Sequence, residues 1–397
     1  MTRLFLRLGL ALILFFALDA LAFRTGYTSI LEPNSTAGYL QQFVWNEIHR
    51  PLRGPNQVLT VGDSRVGLKT RVTNLFIEDT GYTLASIAVP GTTPRCWYYM
   101  LREVDPRRNR YAAILVPFDT YNDREFEPVA DRELDLHYLA PLLRLSDLWS
   151  FSMSYTEWPL RGLAARTVLL KGMAFQQDFQ AYLAHRHARE EEVRLVHRMG
   201  AFWIYNSVWE LHNLEGIQVD WAANRITTMP AWPDAAKRHE IEDEVLRPIP
   251  PVTPSYAAYR LRWIGAIVDR YRGTRTRVVF YRLPRGPEVR PGLPEDADSS
   301  VRRMARRPGV VLADEHTFDF LERPELFGDG MHLNEAGGIE FSRSLAQLVR
   351  QWLGPAQESV RFASTPWYDS KDVSRRVSTR HARVRAPHPL PAQEPVR

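Results

Sequence analysis

At 397 residues, with 45% hydrophobic and 24% charged residues, the chain suffices for one large domain or two modest ones and is not disordered throughout. The net charge of +5 comes from scattered arginines without a basic stripe of interleaved aromatic residues, so nucleic acid is not an expected partner. A single cysteine, Cys96, excludes an intrachain disulfide and a cysteine-built metal site, and no cofactor is expected.

Residues 1–23 form the first predicted element, an N-terminal membrane anchor or signal segment. The apolar run over residues 4–23 is close to the roughly 20 residues that a membrane-spanning helix needs. Arg3 and Arg7 lie at its start, which places the N-terminus in the cytoplasm and the bulk of the chain in the periplasm. Ala-Leu-Ala at residues 20–22 also fits a signal-peptidase site, so an uncleaved single-pass inner-membrane anchor and a cleaved signal peptide both stay open, with the anchor favoured.

A polar lead-in linker is predicted over residues 24–56, with one short helix near residues 37–48. Beyond it, apolar strands alternate with helical segments up to residue 130. Continuous apolar strands separated by helices are typical of a parallel sheet that is covered on both faces. The predicted strands are residues 57–61, 82–89 and 111–117, and the predicted helices are residues 64–75 and 95–104.

The alternation breaks at residues 131–254, which are predicted to be a helical insertion or cap over the sheet edge. The charged run over residues 186–198 is expected to be a solvated helix face. We expect the aromatic side chains of this segment to be core residues rather than a ligand platform. Its tryptophans are Trp149, Trp158, Trp203, Trp209, Trp221 and Trp232.

Regular alternation resumes over residues 255–353 and completes the α/β domain that begins at residues 57–130. From residue 354 to 397 the chain is rich in Pro, Ser and Arg without apolar periodicity, which predicts a disordered basic tail. The expected fold class is therefore α/β, with a parallel sheet and a large helical insertion. The predicted elements are helices at residues 255–271, 299–306 and 339–353 and strands at residues 277–284 and 310–312.

Two short motifs carry the chemistry. Gly62-Asp63-Ser64 follows the first predicted core strand, and a serine at such a turn projects its hydroxyl at the carboxyl edge of a sheet, beside a helix N-terminus. Asp329 and His332 lie three residues apart before the final helix. Serine is a weak nucleophile that needs an adjacent base, itself oriented by a third group. We therefore predict Ser64 as the nucleophile, His332 as the base and Asp329 as the group that orients it.

Other interpretations of these motifs fit less well. α/β-Hydrolases share the chain order Ser, Asp, His, but they require Gly-x-Ser-x-Gly, and Val66 occupies the position of the final glycine. A metal site at Asp329 and His332 lacks further clustered ligands, so no metal is expected. Unrelated surface residues would have to coincide with the Gly-Asp-Ser turn, the order of the strands and the last helix.

The two motifs together resemble the SGNH (GDSL-type) hydrolase superfamily, whose first block is Gly-Asp-Ser and whose last is Asp-x-x-His. The resemblance covers roughly residues 57–123 and 255–353 and leaves out the insertion and the tail. It implies a flavodoxin-like three-layer parallel sheet. It also implies an oxyanion hole that consists of the serine backbone amide, a glycine after the second strand and an asparagine after the third.

The oxyanion hole is where this sequence departs from the superfamily pattern. Ser64 supplies the first donor, and Gly91 stands at the right place for the second. Asp119, a carboxylate that only accepts hydrogen bonds when ionised, stands where the asparagine is expected. Asn122, three residues later, is the candidate for the third donor.

The resemblance is strongest to membrane-anchored bacterial envelope members of the superfamily. It implies an exported serine esterase or O-acyltransferase, most simply an acetyltransferase, that acts on an envelope polysaccharide by a Ser-His-Asp mechanism. The implied partners are an acylated glycan or other ester substrate, the inner membrane and a membrane protein that donates acyl groups. The alternatives are a soluble-substrate esterase or lipase whose insertion forms an apolar lid, and a non-catalytic envelope binding protein.

Overall fold

A parallel sheet of five strands, in the order β2-β1-β3-β6-β7, lies at the centre of the described part of the chain. The computed structural model describes residues 2–25, 30–51, 54–66, 76–124, 130–199, 212–248, 251–291 and 296–356. The sheet confirms the predicted α/β class and is compatible with a flavodoxin-like arrangement. The strands are β1 (Gln57–Thr60), β2 (Thr83–Ser86), β3 (Ala113–Phe118), β4 (Gln218–Asp220), β5 (Arg225–Thr228), β6 (Arg277–Arg282) and β7 (Val310–Leu312).

Helices cover both faces of this sheet and build most of the insertion. Those before the insertion are α1 (Thr2–Phe23), α2 (Thr36–His49) and α3 (Pro94–Val104). Those within it are α4 (Leu134–Leu139), α5 (Leu148–Ser152), α6 (Trp158–Leu169), α7 (Lys171–Ala174), α8 (Gln176–Ala184), α9 (Arg186–Met199) and α10 (Ala235–Val245). Those after it are α11 (Pro254–Tyr271), α12 (Ser300–Ala305) and α13 (Glu335–Leu353).

The strands read as apolar runs because both faces of the sheet are covered. Alternate residues enter two separate cores. Leu59 and Ile114 pack on the face that holds α3 and α11, whereas Val58 and Leu115 pack on the face that holds α13. In the register, Val58 pairs with Leu84 of β2 on one side and with Ala113 of β3 on the other. The predicted strands are therefore present, and most are one or more residues shorter than the apolar runs that indicated them.

The predicted lead-in linker is more than a linker. Its helix α2 begins after Ser35, whose side chain accepts a hydrogen bond from the backbone N–H of Gly38. Leu40, Phe43 and Val44 of this helix are buried in the same core as α3 and α4. The short helical run noticed in the sequence is thus a structural part of the α/β domain.

The insertion contributes to both cores instead of resting on the sheet edge alone. Phe151 and Tyr155 pack in the α3 core, and Ile241 and Val245 of α10 pack in the α13 core. The antiparallel pair β4 and β5 was not predicted. The charged helix α9 turns most of its described side chains to solvent, as predicted, and Val193 is its most buried one.

The tryptophans of the insertion divide into three groups. Trp221 and Trp232 are partly buried against the α13 core, while Trp203 and Trp209 lie outside the described residues. Trp149 and Trp158 are 76% and 75% exposed, so the prediction that they are core residues is wrong. Trp158 begins α6, and the Arg161 guanidinium covers its ring at 4.8 Å from the centroid.

One helix among the described residues, α1, is long and apolar enough to cross a membrane, with the candidate span at Phe5–Phe23. Such a helix is also what a signal sequence looks like. Its last turn contacts the insertion: Asp19 accepts hydrogen bonds from the backbone N–H groups of Lys171 (3.2 Å) and Gly172 (2.7 Å). At the other end of the chain, the predicted tail lies outside the described residues from 357 onward.

Candidate active site

The turn after β1 requires the glycine of Gly-Asp-Ser. Gly62 has φ +147°, and a Cβ there would lie 2.7 Å from Cγ2 of Val66 and 3.1 Å from Cγ of Pro117. The chain then enters a short 3₁₀ turn, Ser64–Val66, in which the Asp63 carboxylate accepts from the backbone N–H of Arg65 at 3.0 Å. Ser64 therefore stands at the carboxyl end of β1, between β2 and β3, where the strand order reverses and ligands bind in open α/β sheets.

The second motif forms a closed turn before α13. Phe327 and Leu333 pair in an isolated antiparallel bridge, and the backbone N–H of Gly328 donates to the carbonyl of His332 at 2.9 Å. Asn334 caps α13 by accepting from the N–H of Gly337 at 3.0 Å. This cap begins the helix at residue 335, four residues before its predicted start.

The structure brings the three predicted catalytic side chains into one hydrogen-bonded line. The Oγ of Ser64 lies 2.8 Å from Nε2 of His332, across 268 positions of the chain. The other ring nitrogen, Nδ1, lies 3.0 Å from both carboxylate oxygens of Asp329. The imidazole is 15% exposed and the carboxylate is fully buried. This is the arrangement in which a histidine can take a proton from a serine while a carboxylate orients it.

Electrostatics of the pair favour an ionised carboxylate beside a basic imidazole. Burial acts to raise the pKa of Asp329, but the hydrogen bond and charge of His332 and the N–H of Met331 outweigh it, so the pKa lies below its usual value. Burial acts to lower the pKa of His332, but Asp329, Glu244 and Asp63 outweigh it, so the pKa is raised. A proton on His332 is therefore stabilised as an imidazolium.

Helix α10 of the insertion also reaches this site, which the sequence did not reveal. Oε2 of Glu244 accepts a hydrogen bond from the N–H of Gly330 at 2.8 Å. The Lys237 ammonium lies 3.6 Å from Oδ2 of Asp329. Burial, followed by the charge of Asp329, raises the pKa of Glu244 to about 7. The spacing of seven puts both side chains on one face of α10, but nothing in the sequence indicated which turn that face would meet.

Close packing against α10 explains the glycine between Asp329 and His332. A Cβ on Gly330 would lie 2.5 Å from the Cβ of Glu244, so any larger residue would push the helix away. The Asp-Gly-x-His turn is thus fitted to the insertion as well as to α13.

Three carboxylates at this place also have the spacing of a cation site. Oxygens of Glu240, Glu244 and Asp329 lie within 4.8 Å of one another. Lys237, however, lies among them, 2.9 Å from Glu240 as well as close to Asp329, and supplies the local positive charge. We assign no metal to this cluster.

Two backbone amides are available for an oxyanion. The N–H groups of Ser64 and Gly91 donate no hydrogen bond within the part of the chain that the structure describes. Gly91 has φ +67° and follows β2, and its carbonyl accepts from Arg132 at 2.5 Å. The hydroxyl of Thr92 donates to the carbonyl of Gly62 at 2.9 Å, which joins the loop after β2 to the turn that carries Ser64.

The third oxyanion position departs from the superfamily pattern in the structure as in the sequence. Asp119 forms an ion pair with Arg65, the residue after Ser64, and Arg65 also binds Asp63 through Nε at 3.0 Å. Burial raises the pKa of Asp119, although Arg65 opposes this. Asn122 is buried, and its side-chain oxygen accepts from the N–H of Asp296 at 2.7 Å. No hydrogen bond described here joins Asn122 to Ser64 or His332, so its role as the third donor stays a prediction.

Comparison of the sequence with protein families finds no family model that matches, and a search of curated proteins finds no match either. The resemblance to SGNH hydrolases therefore consists of the Gly-Asp-Ser and Asp-x-x-His blocks themselves. The further support for a catalytic role is the set of contacts between Ser64, His332 and Asp329.

Proposed function

We propose that this chain is a membrane-anchored SGNH-type serine esterase or O-acyltransferase. The observation that supports it most is the line of hydrogen bonds from Ser64 through His332 to Asp329. The order of the parallel strands and the position of Ser64 at the end of β1 fit a flavodoxin-like SGNH fold. The amides of Ser64 and Gly91, which donate no hydrogen bond among the described residues, fit the start of an oxyanion hole.

The proposed reaction has two half-reactions. Oγ of Ser64 attacks the ester carbonyl while Nε2 of His332 takes its proton, and the resulting oxyanion receives hydrogen bonds from Ser64 N–H and Gly91 N–H. Asp329 stabilises the imidazolium. Collapse of the intermediate breaks the bond to the alcohol, which leaves with the proton from His332, and an acyl-serine remains. Water or a glycan hydroxyl then attacks that ester while His332 takes its proton; the bond between the acyl carbon and Oγ breaks, and His332 returns the proton to Ser64. Water as the acceptor gives hydrolysis, and a glycan hydroxyl gives transfer.

An envelope location is part of this proposal. Arg3 and Arg7 lie at the start of the apolar helix α1, which favours a cytoplasmic N-terminus and a periplasmic catalytic domain. The hydrogen bonds of Asp19 to Lys171 and Gly172 favour the uncleaved anchor, because cleavage after Ala22 would remove a buried group that binds two backbone amides. The substrate class that suits this place is an O-acylated polysaccharide, with a membrane acyl donor if the enzyme transfers.

Covalent labelling of Ser64 tests the catalytic proposal. We expect full-length protein in detergent to react with a fluorophosphonate probe, and Ser64→Ala to lose the label without losing its fold, since it is a small change at a partly exposed site. Ser154→Ala is a matched control at another serine of the chain. Undiminished labelling of Ser64→Ala, with the modified residue identified by mass spectrometry elsewhere, would overturn the nucleophile assignment.

Topology has its own test. A periplasm-active reporter fused after Leu353 should be active, and a reporter that works only in the cytoplasm should be silent. The reverse pattern would contradict export but would leave the labelling result untouched. The N-terminal sequence of the mature protein then distinguishes the anchor from a signal peptide.

A further inference from the structure

A cavity of about 400 Å³ lies where α1 meets the rest of the protein, and none of the predicted catalytic residues lines it. Its lining comes from the end of α1, the segment before α2, α2 itself, the end of α3, the loop between α4 and α5, α7, and the residue between α7 and α8. The walls are largely apolar and include Phe23, Leu31 and Phe175. A volume of this size is ample for a small amphiphilic group.

Two of the cations that line this cavity, Lys171 and Arg24, have no carboxylate partner among the described residues. Lys171 is only 3% exposed, and its ammonium donates to the carbonyl of Pro141 at 2.9 Å. Within the described residues, neither Lys171 nor Arg24 forms an ion pair, and Arg24 donates to the carbonyls of Val168 and Leu169. A buried ammonium with one carbonyl partner is costly unless an anion approaches it.

The remaining polar groups of the lining leave that positive charge in excess. Glu103, the lining carboxylate, is already bound by Arg102 at 2.8 Å and by Arg144 at 2.7 Å. Oε1 of Gln41 is buried and has no hydrogen-bond partner in the structure described. Burial and the charge of Arg24 lower the pKa of Lys171 to about 8, and the charges of Glu103 and Asp19 offset this lowering only in part.

The position of the cavity identifies the source of the anion. Phe23 ends α1, whose 22 residues span about 33 Å, close to the thickness of the hydrocarbon core of a bilayer. Its ring packs on Phe175 and Phe179 at centroid distances of 5.9 and 5.3 Å, so the end of α1 is held against the cavity wall. Leu145, another lining residue, is 56% exposed. With α1 in the membrane, this opening lies at the level of the lipid headgroups.

We propose that this cavity binds the phosphate headgroup of an anionic phospholipid from the outer leaflet, with Lys171 and Arg24 on the phosphate and the apolar walls on the adjoining glycerol and acyl carbons. The inference rests on the proposed insertion of α1 in the membrane and is independent of the chemistry at Ser64. Its consequence is that the soluble domain is held in a fixed orientation on the membrane and does not hang from a flexible tether.

Lipid retention by the full-length protein tests the proposal. The protein is placed in nanodiscs of phosphatidylcholine with a minor fraction of phosphatidylglycerol, and bound lipid is read by native mass spectrometry. We expect one phosphatidylglycerol to be retained against excess phosphatidylcholine. Lys171→Met, which keeps the apolar stem, should weaken retention by about tenfold or more, whereas Lys171→Arg should preserve it. Arg194→Met, on the exposed face of α9, is the control and should have no effect.

A second variant guards against a folding effect at the buried lysine. Leu145→Glu places a negative charge at an exposed lining residue and should also lower phosphatidylglycerol retention with an unchanged melting temperature. Equal retention of the two lipids, or equal retention by wild type and Leu145→Glu, overturns the lipid site. Displacement of the lipid by inorganic phosphate at similar concentration would show a small-anion site instead and also overturns it. Membrane retention after alkaline washing and fluorophosphonate labelling, on the same samples, show separately whether the anchor or the catalytic proposal has failed.

Discussion

Glu244 of the insertion accepts a hydrogen bond from the backbone N–H of Gly330, in the turn between Asp329 and His332. The insertion is therefore in direct contact with the turn that carries Asp329 and His332, and a titratable group of the insertion lies next to the proposed base. Four charged or titratable groups act on Glu244: Lys237 and Glu240 from α10, and Asp329 and His332 from the turn before α13.

We expect Glu244→Gln to shift the acidic limb of the pH profile to lower pH. The negative charge of Glu244 favours the imidazolium and so raises the pKa of His332; removal of that charge lowers this pKa, and the base stays neutral in more acidic solution. The amide can still accept from Gly330, so the turn should hold its shape. The profile of kcat/KM against pH measures the shift. The control is Glu242→Gln, at an exposed position of the same helix. If the Glu244→Gln and Glu242→Gln profiles were identical, Glu244 would have no effect on the pKa of His332.

The ion pair between Arg65 and Asp119 should stabilise the turn that carries Ser64. Arg65→Gln leaves Asp63 and Asp119 without the cation that they share. Asp119→Asn removes one of the two carboxylates that pair with Arg65. We expect each change to lower the free energy of unfolding by about 1–3 kcal/mol. Because the two side chains interact, the double variant should lose less than the sum of the single losses, by about 0.5–3 kcal/mol in urea titrations. Strict additivity would show that the contact is not energetically coupled.

A buried ion pair should likewise determine how firmly the insertion is joined to the sheet domain. Arg95 and Asp135 are both fully buried, 3.1 Å apart, and connect α3 to α4. The guanidinium also covers the ring of Tyr155 at 3.9 Å from its centroid. We expect Asp135→Ala to cost about 3–5 kcal/mol, because it leaves a buried, unpaired guanidinium.

A double variant distinguishes the loss of the pair from the loss of packing. Arg95→Met with Asp135→Leu removes both charges and keeps apolar volume, so its midpoint in urea should recover a large part of the loss. A double variant less stable than Asp135→Ala would show that packing around the pair, not its charge, is what matters.

Local patterns in the sequence sufficed to predict the sheet and the proximity of Ser64, His332 and Asp329. Continuous apolar strands separated by helices indicate a parallel sheet, and its carboxyl edge is where a residue such as Ser64 must come to lie. The strand lengths were less well predicted, because buried apolar residues continue past the strand ends, as Val61 does beyond β1. The predicted start of α13 was four residues too late because Gly337 and Gly338 weaken the helical pattern. In the structure the Asn334 side chain caps the helix by accepting from the N–H of Gly337, and the helix begins before these glycines.

The contacts of the insertion could not be predicted, because they depend on which helix face meets which loop. Glu244 and Lys237 look like ordinary residues of a charged helix until α10 is placed on the Asp329 turn. For the same reason Trp149 and Trp158 were expected in the core, since composition alone does not give the side of a short helix. The third oxyanion donor also stays open: the sequence offered Asn122, and its side-chain oxygen binds the N–H of Asp296.

The pair Asp329 and His332 should behave as a unit with Ser64 on any ester that the wild type turns over. Without the imidazole the serine has no base, so His332→Ala should cost nearly as much in kcat as Ser64→Ala. Asp329→Asn should lower kcat by less than His332→Ala does, since Asp329 only orients and stabilises the imidazole. The corresponding change in the best-studied triad lowers kcat by about 10⁴. The combined variants should lose little more than the worst single one, because the three groups act together.

The raised pKa of His332 gives the sign of the expected pH dependence of activity. The base works only when neutral, so activity should fall as the pH drops through its pKa, and this fall should lie above the usual imidazole value of about 6.5. His316 provides a matched control, since it too lies three residues from an aspartate that its Nδ1 contacts: the distance to Asp319 is 2.7 Å. This second pair lies on an exposed surface. His316→Ala should therefore leave kcat/KM and its pH profile unchanged. A His332→Ala variant that behaves like His316→Ala would show that the hydrogen-bonded line from Ser64 to Asp329 does not perform catalysis.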